Sequence, residues 1–352
     1  MSPSLATIGS GLFQTHVDWK DIKLCIQKER NIAIQFGPNK SARQIGSGNG
    51  FMSRIGVIDA DFQSAETGLP ARFLLKIPSF LETIEMEESV AEEEGVSIME
   101  LLEGFEKDAK MCHNREIAVY RAFSRFDSSL TKLPQYYFGQ QFAEENKLKG
   151  FIAMEYVDNA VTRHFYHKVT PEQLMDVLRA VAFLEAKSFQ LKDEEKQKLE
   201  SNPIKTIYSR FITPNVVSKA FRDMCAVYKE LKPSAEELLE MVEEMLDLDL
   251  PSTLNEELGM KDVFVHGDLW SANLLWTKTT DGVVFSKYID HQQAHFGCPA
   301  EDLCRLFIST MSGADRRANW ERLLEEFHGY IVEYSEGELP FTLEQVSVMT
   351  CC

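Results

Sequence analysis

Three polar residues interrupt the apolar stretch VFVHGDLWSANLLW, Val263 to Trp276: His266, Asp268 and Asn273. A carboxylate in such a loop is suited to orient a hydroxyl and take its proton. Asn273, five residues on from Asp268, and Asp290, at the end of SKYID, add two hard oxygen ligands of the kind Mg2+ prefers. This set could move a phosphoryl group onto a hydroxyl. A structural loop with its polar groups hydrogen-bonded to one another is the plainer alternative, and the short motif alone does not choose.

Phosphoryl transfer also needs a cation on the phosphates and a cover that excludes water. Lys76 lies within FLLKIP, and a lysine amid an apolar strand demands a partner. Glu116, in HNREIAVYRAF, is the candidate; a side chain that snorkels to the surface is the alternative. In GSGNGFMS, Gly46, Gly48 and Gly50 would let backbone N–H groups approach phosphates closely, although such a turn also serves an ordinary hairpin. The order of Gly turn, strand Lys, helix Glu, HxD loop and strand-end Asp favours chemistry over housekeeping.

The elements that must position these residues fall into two groups. From Gln44 to Pro78 the chain reads as strands, and LPQYYFGQQF and GFIAMEYV read as two more. HNREIAVYRAF reads as a helix with Ile117, Tyr120 and Phe123 on one side. Before it, the acidic run ETIEMEESVAEEEGVSIMELLEGFEKDAK reads as a solvated helix face or an insertion. After Val157 the pattern turns helical. Thr170, Pro171 and Gln173 form a capping-box start, and Ser234 with Glu237 offers a second. EDLCRLFISTM and NWERLLEEFHGYIVEY continue the helical periods, and the methionines of LLEMVEEMLDL suit a core. One hairpin is embedded among them, NLLW and VVFSKYID joined by TKTTDG. The fold class is therefore α+β, with residues 1–157 as a strand-rich lobe and 158–352 as a larger helical lobe.

Composition narrows the partners. Across 352 residues, 37 Lys and Arg face 55 Asp and Glu, a net charge of -18 that disfavours nucleic acid or an anionic membrane. No apolar run is long enough to span a bilayer, and the first residues lack the pattern of a signal peptide. Seven scattered cysteines without CxxC spacing suggest neither disulfides nor zinc, so the expected setting is the reducing cytoplasm. The pairs His291/His295 and His164/His167 lack a third ligand at a recognisable spacing.

VHGDLWSANLLW followed by YIDHQQAHFGCPAEDLCRLF resembles the HGDxxxxN and IDxQ…P…DL signatures of choline-kinase-like small-molecule kinases. These belong to the protein-kinase-like superfamily, as do aminoglycoside phosphotransferases, and share the Asp–Asn spacing of the HRDxxxxN loop. HGDLWxxN, IDHQ and CPAEDL are most similar to the ecdysteroid-kinase-like proteins of insects and to nematode proteins with a CHK kinase-like domain. The resemblance spans about Ile45 to Tyr334 and implies a bilobal protein-kinase-like fold. It further implies ATP and Mg2+ as cofactors and a small-molecule hydroxyl acceptor, such as a steroid or xenobiotic metabolite. Choline or ethanolamine kinase activity and a non-catalytic pseudokinase module remain alternatives.

Residue by residue, the resemblance makes Asp268 the catalytic base and Asn273 and Asp290 the Mg2+ ligands. It makes Lys76, paired with Glu116, the holder of the phosphates, and Gly46, Gly48 and Gly50 the phosphate cover. Met154, Glu155, Tyr156 and Val157 match the hinge that meets adenine. His266 would orient the loop, and Asp302 would cap the next helix and brace the site. His291 after Asp290 departs from the Phe–Gly of protein kinases and removes their DFG switch. The close FTLEQVSVMTCC reads as a shortened terminus, because relatives run on into another helix.

Overall fold

The structure is a computed structural model that describes residues 3–46, 52–63, 67–84, 98–209, 212–280 and 282–351. The chain forms two compact units, Met1–Thr162 with Leu274–Gln292, and Arg163–Asn273 with Gln293–Cys352. The embedded hairpin thus groups with the strand-rich unit, in place of a single boundary after Val157.

The first unit is built on a five-stranded antiparallel sheet of order β1-β2-β3-β5-β4. Its strands are β1 (Ser41–Ile45), β2 (Ser53–Asp59), β3 (Arg72–Pro78), β4 (Tyr136–Gln140) and β5 (Phe151–Met154). β3 is central, paired with β2 from Ser53↔Pro78 to Asp59↔Arg72 and with β5 from Leu74↔Met154 to Lys76↔Ile152. Phe73, Leu75 and Ile77 alternate into one core with Ile58, Phe138 and Phe151, and with Ile22 and Ile26 of helix Trp19–Arg30. Each such fully buried side chain contributes about 1.5–3 kcal/mol relative to exposure. The two-residue period of a strand then sends Lys76 to the opposite face. Helix Ile98–Phe123 lies against β3 and buries Ile117, Tyr120 and Phe123, the expected side. Residues 85–97 of the acidic run lie outside the described residues.

A three-stranded sheet completes this unit. It comprises β6 (Ala160–Thr162), β8 (Leu274–Thr279) and β9 (Gly282–Tyr288), in the order β6-β8-β9. The hairpin β8–β9 is the expected one, with a register shift between Leu275 and Trp276. Asp281 of its turn lies outside the described residues.

The second unit is mostly helical. Helix Pro171–Ser188 starts as its sequence dictates, with Thr170 and Gln173 exchanging side-chain and backbone hydrogen bonds. It packs along helix Gly313–Tyr334, which buries Leu323, Leu324, Phe327 and Ile331. A short antiparallel pair joins β7 (Val263–Val265), which leads into the HGD loop, to β10 (His295–Gly297). The α+β class is the one expected from the sequence.

Two local expectations fail here. Ser234 is no cap: the helix Lys232–Glu240 begins earlier, with Leu231 at the N-cap and Pro233 in the first turn, where its missing N–H costs nothing. Met241 and Met245 are not core either, each being about half exposed. The helix breaks at Met241 into a separate turn, Val242–Met245, so the apolar period that suggested a buried face is not continued.

Candidate active site

β3 carries Lys76 into a place where a lone ammonium could not stay charged. Its Nζ donates to Glu116 Oε2 at 2.7 Å and to Asp290 Oδ1 at 2.6 Å, and the Lys76 and Glu116 side chains are both buried. Burial alone would lower the lysine pKa, but the Asp290 and Glu116 carboxylates outweigh it and hold it above the ordinary value. Snorkelling is therefore not what this lysine does. One turn on from Glu116, Tyr120 donates to Glu116 Oε1 at 3.4 Å, so both oxygens of that carboxylate are engaged. A lysine on the third strand joined to a glutamate on the following helix is the arrangement kinases use to hold the α and β phosphates.

Asp290 follows the end of β9 in a left-handed backbone conformation, φ +70°. A non-glycine residue there carries about 1 kcal/mol or more of strain, which the surrounding contacts must offset. The strand before it is well tied: Tyr288 N–H donates to the Lys132 carbonyl, and Lys287 Nζ donates to the Leu133 carbonyl. Lys287 also pairs with Glu155 Oε2 at 3.0 Å. Glu155 in turn exchanges bonds with Gln135, its N–H to the Gln135 carbonyl and its carboxylate from the Gln135 N–H. The segment Met154–Val157 is thereby anchored to the strand that precedes Asp290. Met154 is buried at the end of β5, and Glu155, Tyr156 and Val157 are half-buried.

In the helical unit the HGD loop is held from helix Pro299–Thr310. Asp302 Oδ2 accepts the His266 N–H at 2.6 Å, and Oδ1 accepts the Gly267 N–H at 3.0 Å. Asp302 is buried three residues inside that helix, whose N-cap is Cys298, so it braces the loop and caps nothing. Gly267 has φ +79°, and a Cβ there would fall 2.4 Å from the Gln293 carbonyl oxygen. Only glycine fits, for conformation and for space. His266 accepts the Asp268 N–H at Nδ1, 3.2 Å away, which puts the ring proton on Nε2. It ties the turn that carries Asp268.

Asp268 itself is mostly buried and held by both oxygens. Asn273 Nδ2 donates to Asp268 Oδ2 at 3.0 Å and to its backbone carbonyl at 2.8 Å. Arg305 pairs with Oδ1. With its amide nitrogen given to Asp268, Asn273 presents a carbonyl oxygen as its other polar group.

Of the residues singled out in the sequence, Lys76, Glu116 and Asp290 meet in one unit, and Asp268 meets Asn273 in the other. Asn273 ends the segment Arg163–Asn273, so it and Asp290 belong to different units. Gly46 follows β1 with φ +69° and open space around its Cα, while Gly48 and Gly50 lie outside the described residues. His164 and His167 share a turn in which the His164 N–H donates to His167 Nδ1. His291 and His295 fall in separate units. Arg305 and Tyr120 were missed by sequence reasoning. Both carried a signal, spacing on a helix: Arg305 stands three residues after Asp302, and Tyr120 four after Glu116.

The chain is 26% identical over 233 residues to the uncharacterized kinase-like protein D1044.1 of Caenorhabditis elegans, covering 66% of this chain and 60% of that one. It is 27% identical over 282 residues to the uncharacterized oxidoreductase dhs-27 of the same organism, covering 76% of this chain and 32% of the relative. The chain therefore spans under two thirds of the length of either. Among solved structures, a choline kinase from Cryptosporidium parvum superposes with a TM-score of 0.47 at 14% identity, covering 88% of this chain and 80% of that one. The family model DUF1679, described as "Uncharacterized oxidoreductase dhs-27", matches residues 5–349, and the chain belongs to that family.

Proposed function

We propose that this chain is an ATP- and Mg2+-dependent phosphotransferase whose acceptor is the hydroxyl of a small molecule. The observation that carries this is the buried Lys76, bonded at once to Glu116 and to Asp290. A lysine so placed is charged, fixed by Glu116, and able to exchange its bond to Asp290 for one to a nucleotide phosphate. Met154–Val157 would meet the adenine through backbone groups, and Gly46, Gly48 and Gly50 would cover the phosphates.

The donor chemistry of Asn273 and Asp290 fits Mg2+, since both offer hard oxygens and Asp290 keeps Oδ2 beside the oxygen given to Lys76. Bound there, the ion would neutralise charge on the transferred group. Asp268 would orient the acceptor hydroxyl and accept its proton as the acceptor oxygen bonds to the γ-phosphorus. The β–γ phosphoanhydride bond breaks, ADP leaves with that electron pair, and the proton passes from Asp268 to solvent. The kinase-like relative supports this reading, as does the resemblance to ecdysteroid-kinase-like proteins, which points to steroid or xenobiotic-metabolite acceptors. The scattered cysteines point to a cytoplasmic setting.

The oxidoreductase named among the relatives prompts the competing idea of a dinucleotide enzyme. Every described strand pair is antiparallel, whereas the dinucleotide-binding fold is a parallel sheet with helices on both faces.

Titration calorimetry with ATP, with and without Mg2+, tests the proposal, followed by mass spectrometry of metabolite extracts for ATP-dependent gain of one phosphate. Mg2+-dependent ATP binding that is lost in Asp290→Asn supports it. Equal binding by both proteins, or none, counts against it.

A further inference from the structure

Both oxygens of Asp268 are engaged, Oδ2 by Asn273 and Oδ1 by Arg305. Each keeps a further lone pair, and a hydroxyl that approaches along Oδ1 competes there with the guanidinium. Asn273 is the fixed partner. It is buried, it bonds Asp268 twice, and its own N–H is tied to the Trp270 carbonyl. Arg305 is the movable one, about half exposed on a long side chain.

Helix Pro299–Thr310 cannot carry Arg305 away. Asp302, one turn before it, is locked to the His266 and Gly267 N–H groups, and Ser309, one turn after it, accepts the Ser271 N–H at 3.1 Å. These three residues form one stripe on the helix, laid along the loop. Only the Arg305 side chain can move. A displaced guanidinium stays within a side chain's reach of Asp268, always charged, with a planar fork that matches carboxylate or phosphate oxygens.

We propose that Arg305 is a specificity-determining residue and that the acceptor is a hydroxylated organic anion. Its hydroxyl goes to Asp268, and its own carboxylate, sulfate or phosphate replaces Asp268 on Arg305. This inference rests on the phosphotransfer proposed above. A cationic acceptor such as choline is disfavoured, because it would meet the guanidinium in place of the carboxylate it needs. A neutral acceptor offers Arg305 no replacement for the Asp268 carboxylate.

Two measurements test this. The first needs no turnover: binding of inorganic sulfate to the wild type, Asp268→Asn, Arg305→Gln and the double variant. Asp268→Asn frees Arg305, so it should bind sulfate at least fivefold more tightly than the wild type, and the double variant should lose that gain. Equal affinity in Asp268→Asn and the double variant overturns the anion site.

The second compares kcat/KM for a neutral hydroxysteroid and a hydroxysteroid carboxylate. The wild type should prefer the carboxylate at least tenfold, and Arg305→Gln should bring the ratio near one. If the variant lowers both acceptors equally and keeps the ratio, Arg305 serves the transferred phosphoryl group and the acceptor proposal fails. If the wild type phosphorylates neither compound, the hydroxysteroid-carboxylate acceptor fails, while transfer to metabolite extracts decides the phosphotransfer reading and the sulfate series still decides whether Arg305 is an anion site.

Discussion

Lys76 Nζ lies 2.6 Å from Asp290 Oδ1, joining residues 214 positions apart in the chain. The same ammonium is held at 2.7 Å by Glu116, so two carboxylates share one buried cation. On the proposed phosphotransfer, an incoming phosphate would take the place of one carboxylate while the other keeps the lysine in place. Removing the lysine and removing Asp290 should therefore have different consequences.

Lys76→Met leaves Glu116 buried without its cation, a change that costs about 3–5 kcal/mol in comparable buried pairs. Asp290→Asn keeps the Lys76–Glu116 pair, and its own side chain is partly exposed. Thermal unfolding should show a large fall in Tm for Lys76→Met and a small one for Asp290→Asn, with both defective in Mg2+-dependent ATP binding. Equal, small shifts in Tm would show that the buried pair contributes little.

Gly267→Ala should damage the HGD loop for two separate reasons, a left-handed φ and a Cβ placed 2.4 Å from the Gln293 carbonyl oxygen. Asp302→Ala leaves the His266 and Gly267 N–H groups without their acceptor, at about 1–3 kcal/mol each. Either substitution should lower Tm and abolish phosphotransfer together. A Tm within a degree of wild type for Asp302→Ala would remove its bracing role.

Glu185 is fully buried in helix Pro171–Ser188, and among the described residues neither of its oxygens has a hydrogen-bond partner. Burial pushes its pKa well above the ordinary carboxylate value, and the nearby Asp302 charge adds to this. The raised folded pKa fixes the sign of the pH dependence. The neutral form is favoured in the folded chain, so its contribution is fully present below the unfolded pKa, near 4.5, and is lost as pH rises through the folded value. Glu185→Gln should therefore raise Tm relative to wild type at pH 8, with the gain shrinking toward pH 4.5. A constant difference between pH 4.5 and 8.5 would contradict this.

Much of the candidate site was legible in the sequence because its residues break a local pattern. A lysine in FLLKIP and the polar centre of VFVHGDLWSANLLW stand out against apolar surroundings, and burial there forces each polar group to find a partner. Arg305 escaped notice because a charge in EDLCRLF looks like an ordinary solvated position; only the contact with Asp268 gives it meaning. Glu185 was hidden differently, as a single carboxylate on the apolar side of AVAFLEAKSF, four residues after Val181. The misplacement of Met241 and Met245 has the opposite cause. Their spacing suits a buried face, but the helix breaks at Met241, and tertiary packing rather than period decides exposure.

The most direct measurement is transfer of radiolabelled γ-phosphate from ATP, with Mg2+, to small molecules of a metabolite extract, comparing wild type with Asp268→Asn. A general base contributes roughly 10²–10⁴-fold. Labelled product from the wild type and a loss of that size in Asp268→Asn, with ATP affinity changed by no more than about threefold, is the expected result. Equal labelling by the two proteins would contradict the assignment of Asp268 as the base, and no labelled product from the wild type in any extract would contradict phosphotransfer itself.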